Sequence, residues 1–311
     1  MLKTEQLRCF AATVEAGSFA AAAGRLNLSA SAVAYAVDAL EEQLETRLLL
    51  RRRSTGVSLT ADGRRLLRLA HGLLQDLAEV ENLFAPKGRA LTGELTVGCQ
   101  EGLSWALAPR AIEHVRRKHP GLDVKLKTIF MDQGNGPLLD ADVDVLITFL
   151  VDAEPDPAVE HLHLCHPTPC AMMRRHHPLD REGAPLTLRE LAQFPQIYIQ
   201  DGPALELFSG LYRHQGLTPR QAMVTNISTA AQALVGTSDC VSLRIVRPAH
   251  PWSPLGDELA FAPVADPHAT ASLAISTLRP RHGRQSAKVK TFIASCSALI
   301  EEDTMRSHLF Y

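Results

Sequence analysis

The residues best placed to do chemistry in this 311-residue chain form a basic run beside two short helices. Arg51, Arg52 and Arg53 follow one another directly, and between Arg47 and Arg68 seven arginines face one acid, Asp62. Guanidinium groups neutralise phosphates and release their counterions, so such a run binds a nucleic-acid backbone and weakens as salt rises. Just upstream, Ser31 and Tyr35 lie four residues apart, which sets both on one face of a helix. They are the side chains expected to reach base edges. Ser18 and Ser29, each placed to cap a helix, complete the expected DNA contacts. Arg64, Arg65 and Arg68 either reach the backbone as well or solvate the outer face of the next helix.

A second cluster lies in EHLHLCHPTPC. His161, His163 and Cys165 alternate, so a strand would place them on one face, with His166 and Cys170 nearby. Metal sites use such residues, and a cysteine pair supports a redox switch. The same segment also reads as a strand, a proline-containing connection and a second strand, and thirteen histidines in the chain make chance clusters common. No metal ligand set is assigned, and no cofactor. Catalysis has little support: there is no Walker loop, no G-x-S-x-G elbow and no metalloprotease helix.

Periodicity supplies the elements that must hold these groups. Phe19, Ala22, Ala23 and Leu26 recur at helical spacing after Ser18; Val33, Ala36, Val37, Leu40 and Leu44 do so after Ser29. Asn27 and Leu28 make the corner, and the small residues Ala20 to Ala23 let the two helices approach, as a helix-turn-helix requires. Short strands around Leu48–Leu50 and Val57–Leu59 form a wing. Residues 1–60 are thus a winged helix-turn-helix whose second helix enters a major groove. Thr60 offers a cap for one long helix over 61–86, ended near Pro86 and Gly88, so that 61–88 is the linker. Leu66, Ala70, Leu73, Leu77, Val80 and Phe84 alternate by four and three, the seam of a two-helix pair; packing on the chain's own following domain is the alternative. From Thr92 strands and helices alternate, with a single helix expected over Leu103–His119, which points to α/β architecture with parallel sheets.

Charge and composition narrow the class. The net charge of −2 hides 12 basic against 10 acidic residues up to position 93, and 20 against 24 beyond it, so the basic stripe is local. No apolar run spans a bilayer and no signal-peptide core opens the chain, which points to the cytoplasm and to no membrane partner. The six cysteines are scattered, as free buried thiols in a reducing compartment would be.

The ordered fragments LRCFAATVEAGSF, AAAGRLNLS, SAVAYAVDALEEQL and LTADG, then LTGELTVG, RRKHPGLDVKL, RRHHPL and TAAQALVGTSDCVSL, resemble the LysR-type transcriptional regulators over nearly the whole chain. The resemblance implies that residues 92–303 form two Rossmann-like subdomains similar to periplasmic solute-binding proteins. Subdomain I would take about 92–162 and 265–303, and subdomain II about 163–264. A small effector would bind between them, and the protein would assemble as a homodimer or homotetramer. The chain departs from the family pattern in the head: Ala30 stands where glutamine is common, Ala34 where serine is, Asp38 where basic or polar residues are, Glu45 where glycine is, and Leu49 where phenylalanine is. Four acids (Asp38, Glu41, Glu42 and Glu45) lie between Ser29 and Thr46, with no lysine or arginine.

Ligands in open α/β sheets settle at the carboxyl ends of strands. That rule selects Gln100, Glu101, Gly102 and Ser104 after the first strand, Thr148 at the end of another, Gln200 and Asp201 after QIYIQ, and Thr229 at a helix start. Helix N-termini favour an anion, whereas Glu101 and Asp201 oppose one, so the expected ligand is a small polar metabolite of open charge. The resulting expectation is an effector-controlled, non-enzymatic transcription factor, with operator DNA, the effector, a second copy and RNA polymerase as partners. Two alternatives stand beside it: a metal- or thiol-responsive regulator using Cys165 and Cys170, and a ligand-binding protein whose DNA head lacks sequence preference.

Overall fold

The computed structural model describes residues 1–52, 56–83, 90–151, 156–199, 203–248, 250–265, 273–281, 286–302 and 306. They divide into two compact units, one built chiefly from the chain up to residue 83 and one chiefly from residue 90 onward.

In the first unit, α1 (Thr4–Ala16), α2 (Phe19–Leu26) and α3 (Ala30–Gln43) enclose one apolar core. Phe10, Ala22, Val33, Val37 and Leu40 are fully buried in it. The Ser18 hydroxyl accepts the Ala21 N–H and starts α2, and the Ser29 hydroxyl accepts the Ala32 N–H and starts α3. Between them Asn27 adopts a left-handed conformation (φ 54°), which ends α2 and turns the chain sharply. The wing strands β1 (Leu49–Arg52) and β2 (Gly56–Leu59) pair antiparallel, Leu49 opposite Leu59. Thr60 caps α4 (Ala61–Leu83) by accepting the Gly63 N–H at 2.9 Å. Gly63 is required for close approach: a Cβ there would sit 2.1 Å from the Leu48 carbonyl oxygen.

The second unit begins with β3 (Thr92–Gln100), α5 (Glu101–Ser104), α6 (Leu107–Lys118) and β4 (Gly121–Ile129). The single helix expected over Leu103–His119 is therefore broken near Trp105. Pro109 has no N–H to donate back to the Trp105 carbonyl, so a continuous helix would lose that bond. After α7 (Gly136–Leu139) come β5 (Val145–Val151), β6 (Val159–Cys165) and β7 (Cys170–Arg174). Next are α8 (Leu188–Leu191), β8 (Gln196–Ile199), α9 (Pro203–His214), β9 (Gln221–Thr225) and α10 (Ser228–Gly236). The strands β10 (Ser242–Arg244), β11 (Leu259–Pro263) and β12 (Leu273–Pro280) precede the last helix, α11 (Ala287–Ile300).

Two groups of strands result. The larger sheet runs β4-β3-β5-β12-β6; a smaller one runs β10-β7-β11, with β8 and β9 paired beside it. The larger sheet is mixed and the smaller one antiparallel, correcting the expectation of parallel sheets; among the described residues only the two-stranded β8–β9 sheet is wholly parallel. β3 lies parallel to β4 and β5, but β12 returns antiparallel between β5 and β6, and β7 is antiparallel to both its neighbours. The return strand forces this, because it re-enters the first sheet from the second. β11 has no counterpart in the sequence reading; its apolar stretch LAFAP is short and ends in proline. Among the described residues no helix is long and apolar enough to cross a membrane.

Glu45 ends α3 with φ 51°, while the Thr46 N–H bonds back to the Glu41 carbonyl, so an L-residue occupies the left-handed position where the resemblance implies glycine. That conformation costs an L-residue about 1–2 kcal/mol, part of which glycine returns through its greater freedom when unfolded. Glu45→Gly is expected to raise stability by about 0.5–1 kcal/mol in urea unfolding. A loss of stability would contradict the strain argument.

Candidate functional site

Helix α3 presents Ser31, Tyr35, Asp38 and Glu42 to solvent along one stripe, with Tyr35 76% exposed. The Ser29 and Ser31 hydroxyls sit 3.0 Å apart at its start. Glu41, counted above with the acids of this helix, is buried instead. Its Oε1 accepts the N–H groups of Leu48 at 2.6 Å and Leu49 at 3.0 Å, and its Oε2 meets Arg47 at 3.3 Å. Thus one acid of the reading helix fastens the wing, and the outward acids of α3 reduce to Asp38 and Glu42. The wing is held from its other side by the Val57 N–H, which donates to the Gly17 carbonyl. Arg51 and Arg52 belong to β1 by their backbone, and their side chains lie outside the described residues, as do Arg53 and the side chain of Arg68. Arg64 donates to the Leu59 carbonyl at 3.3 Å, and Arg65 is exposed.

The stripe on α4 divides, which corrects two of its expected members. Ala70 is fully buried in the core of the head, and Leu66 packs against it with Leu67 and Leu74. These face their own unit because α4 lies along α1, where His71 bonds Glu15 at 3.2 Å. Leu69, Leu73 and Val80 are exposed at 60%, 57% and 39%, and Leu77 is half-buried. Phe84 lies outside the described residues.

In the second unit a narrow, half-open cleft has a cavity volume of about 40 Å³. Glu101 and Gly102 line it from α5, Phe149 from β5, Ser228 from α10 and Arg244 from β10. A Cβ at Gly102 would press on the Phe149 ring at 3.3 Å. Both carboxylate oxygens of Glu101 are engaged at the start of α10: one accepts the Ser228 N–H at 3.1 Å, the other the Ser228 hydroxyl at 2.5 Å. Gln100 is buried, and its side-chain oxygen accepts the Phe149 N–H at 2.7 Å, tying β3 to β5. The Thr148 hydroxyl is buried and donates to the Phe149 carbonyl; the Ser104 hydroxyl donates to the Glu101 carbonyl. Thr229 is exposed in the first turn of α10 and, like Gln100, Ser104 and Thr148, is not among the cleft-lining residues. Gln200 and Asp201 lie outside the described residues.

Sequence reasoning missed Ser228 and Arg244. A signal existed for the second: Arg244 is the one charge within the apolar stretch CVSLRIV, and only 4% of it is exposed. Burial lowers its affinity for the proton, and the nearby Cys170 and Glu101 act in the opposite sense.

The histidine–cysteine cluster spreads along β6 and the start of β7. The rings of His163 and His166 lie 4.5 Å apart and tilted by 40°, and partial burial, then the charge of His166, lower the His163 pKa. Burial pushes both Cys165 and Cys170 up to about 12. Thiols in that state are almost wholly protonated at neutral pH and react slowly, which counts against a redox pair. All six cysteines are free, and among the described residues no three metal-ligating side chains converge.

An exposed reading helix on a winged head, followed by a two-sheet unit with a charged, apolar-walled cleft, defines a DNA-binding regulator of the effector-responsive class. Residues 4–64 match the family description "Bacterial regulatory helix-turn-helix protein, lysR family", and residues 88–300 match "LysR substrate binding domain". The chain belongs to the LysR family of transcriptional regulators. It is 32% identical over 239 residues to the SDS degradation transcriptional activation protein of a Pseudomonas strain, covering 76% of this chain and 77% of that one. It is also 29% identical to the regulator YvbU of Bacillus subtilis, over 72% and 75% of the two chains. The fold is similar to a full-length OxyR of Pseudomonas aeruginosa (TM-score 0.75, 16% identity, 96% and 98% covered). It is similar too to full-length CbnR, solved with its target DNA (TM-score 0.61, 23% identity, 95% and 99% covered). Regulators of this family bind operator DNA, and these relatives are named as regulators rather than enzymes.

Removing the Glu41 carboxylate strands two buried N–H groups, each costing about 1–3 kcal/mol. Glu41→Ala is expected to lose about 2–4 kcal/mol in chemical unfolding, and Glu41→Gln, which keeps one acceptor, about half as much. Equal stability of both variants with the parent would show that the wing is held by other means.

Proposed function

We propose that this regulator binds double-stranded operator DNA as a homodimer, with Ser31 and Tyr35 reading base edges and Ser18, Ser29, Arg51, Arg52 and Arg53 holding the backbone. The observation that carries this reading is the pair of surfaces left exposed on the first unit: the Ser31–Tyr35 stripe of α3 and the apolar stripe of α4. Leu69, Leu73, Leu77 and Val80 recur at four, four and three residues, the spacing of a two-helix seam. By its spacing in the sequence Phe84 is the next expected seam position, whereas Leu66 and Ala70 serve the head. Pairing two copies sets two reading helices toward half-sites about 34 Å apart. Dimers join further into a tetramer, RNA polymerase is the partner that reads the bound state, and the protein works in the cytoplasm.

A small effector occupies the cleft between the two sheets, touching Glu101 and Gly102. It shifts the regulator between states only by its differential affinity for them. The chemistry favouring this site is concentrated in Glu101, Ser228 and Arg244, with apolar walls to exclude water.

Footprinting of the DNA upstream of the protein's own gene tests the reading, with and without candidate metabolites. Tyr35→Ala is expected to weaken specific retention by about tenfold, on the scale of one lost base contact, and to leave sequence-blind retention unchanged. Each wing arginine replaced by glutamine should flatten the salt dependence by about 0.9 in log–log slope per phosphate contact. Retention without sequence preference would favour the alternative of a non-selective head.

Leu73→Glu, at an exposed seam position, is expected to convert a dimer to monomers in light scattering while the head stays folded by circular dichroism. A variant that remains dimeric would remove α4 from the interface.

A further inference from the structure

Arg244 is a buried cation without an obvious reason to be one. It stands at the end of β10, opposite Cys170 of β7, and among the described residues its Nη1 has no hydrogen-bond partner. A guanidinium keeps its charge at every physiological pH, and an unpaired buried charge destabilises the structure that holds it. The acid nearby does not neutralise it by contact. Glu101 is close enough to act on Arg244 electrostatically, yet both of its oxygens are held by Ser228, and no ion pair to Arg244 forms among the described residues. The cleft therefore contains an anion seated on a helix N-terminus and a cation left short of a partner.

The remaining walls are apolar: Met131, Phe149, Ile199, Phe208, Ile245 and Val246. Their chemistry suits a hydrocarbon body, and at about 40 Å³ the cleft must widen to admit one. Because Glu101 fills the start of α10 from within, that helix end has no place for a second negative group.

We propose that the effector is an apolar monocarboxylate, with its carboxylate on Arg244 and its aromatic or branched aliphatic body against the Phe149 and Phe208 side of the cleft. This deepens the effector reading above and rests on it. A second carboxylate on the ligand would meet Glu101, so dicarboxylates bind less well, and an amide isostere lacks the charge that Arg244 needs. Both discriminations follow from one buried cation facing one committed anion.

Calorimetry and thermal shift on the full chain would use benzoate, 3-phenylpropanoate and 4-methylpentanoate as probes. Their primary amides, phthalate, and the amine benzylamine serve as comparisons. At least one monocarboxylate is expected to bind, roughly tenfold or more tightly than its amide, through the charge-assisted pair. Arg244→Gln is expected to fold, to melt at or above the parent's temperature without ligand, and to lose the preference for acid over amide. The proposal is overturned by equal binding of acid and amide, by tighter binding of phthalate or benzylamine, by no monocarboxylate binding, or by a strongly destabilised Arg244→Gln protein. Footprints run in parallel separate the two failures. If an amine or another neutral or dianionic probe alters operator contacts, effector control stands and only the ligand class falls. If no probe of any class does so, effector control itself fails.

Discussion

The backbone N–H groups at the start of a helix have no partner within it, and in this protein the oxygens that meet them decide where each working surface lies. Ser18 and Ser29 fix the two helices of the head, and Thr60 starts α4 against the wing. Thr187 and Glu190 exchange bonds at α8. At α10 the oxygen arrives from far along the chain, as the carboxylate of Glu101. The first four are local and set the direction of an element. The last joins the α5 end of the first sheet to α10, so the same physical need serves geometry at four helices and cleft chemistry at the fifth.

What could be read in advance follows this division. Helix starts in the head were legible because cap, periodic apolar stripe and corner all lie within a few residues of one another. Ser18, Ser29, Asn27 and Thr60 each do what their local sequence implies. The fate of Glu41 was not legible, since nothing local distinguishes it from Glu42; only the wing folding back over α3 makes it an acceptor for Leu48 and Leu49. The α4 stripe shows the same limit. Its spacing identifies an apolar face, but an apolar helix with two faces needs the packed neighbour to assign Ala70 inward and Leu73 outward. In the second unit the strands other than β11 were visible as apolar runs, whereas the direction of β12 depends on a chain path of more than a hundred residues.

Formal charge proves a poor guide to the role of an acid or base here. Glu41 is a backbone acceptor in the head, Glu101 is an internal cap, and Arg244 is a cation enclosed by hydrocarbon. Each contributes through its single position, while the net charge of −2 reports none of them. The same holds for Cys165 and Cys170, whose thiols burial keeps protonated whatever their proximity in sequence.

The path of the second unit carries a topological consequence. Its smaller sheet is spelled by one uninterrupted stretch, from β7 to β11, set inside the sequence of the larger sheet. The first residue of that stretch, Cys170, and the last, Pro263, face each other across adjacent antiparallel strands. A segment whose two ends are neighbours behaves as an insertion cassette: it can be lifted out and another fitted in its place without stretching the host. Diversification of ligand preference by wholesale exchange of that cassette, with the reading head untouched, is thus open to the gene that encodes this chain.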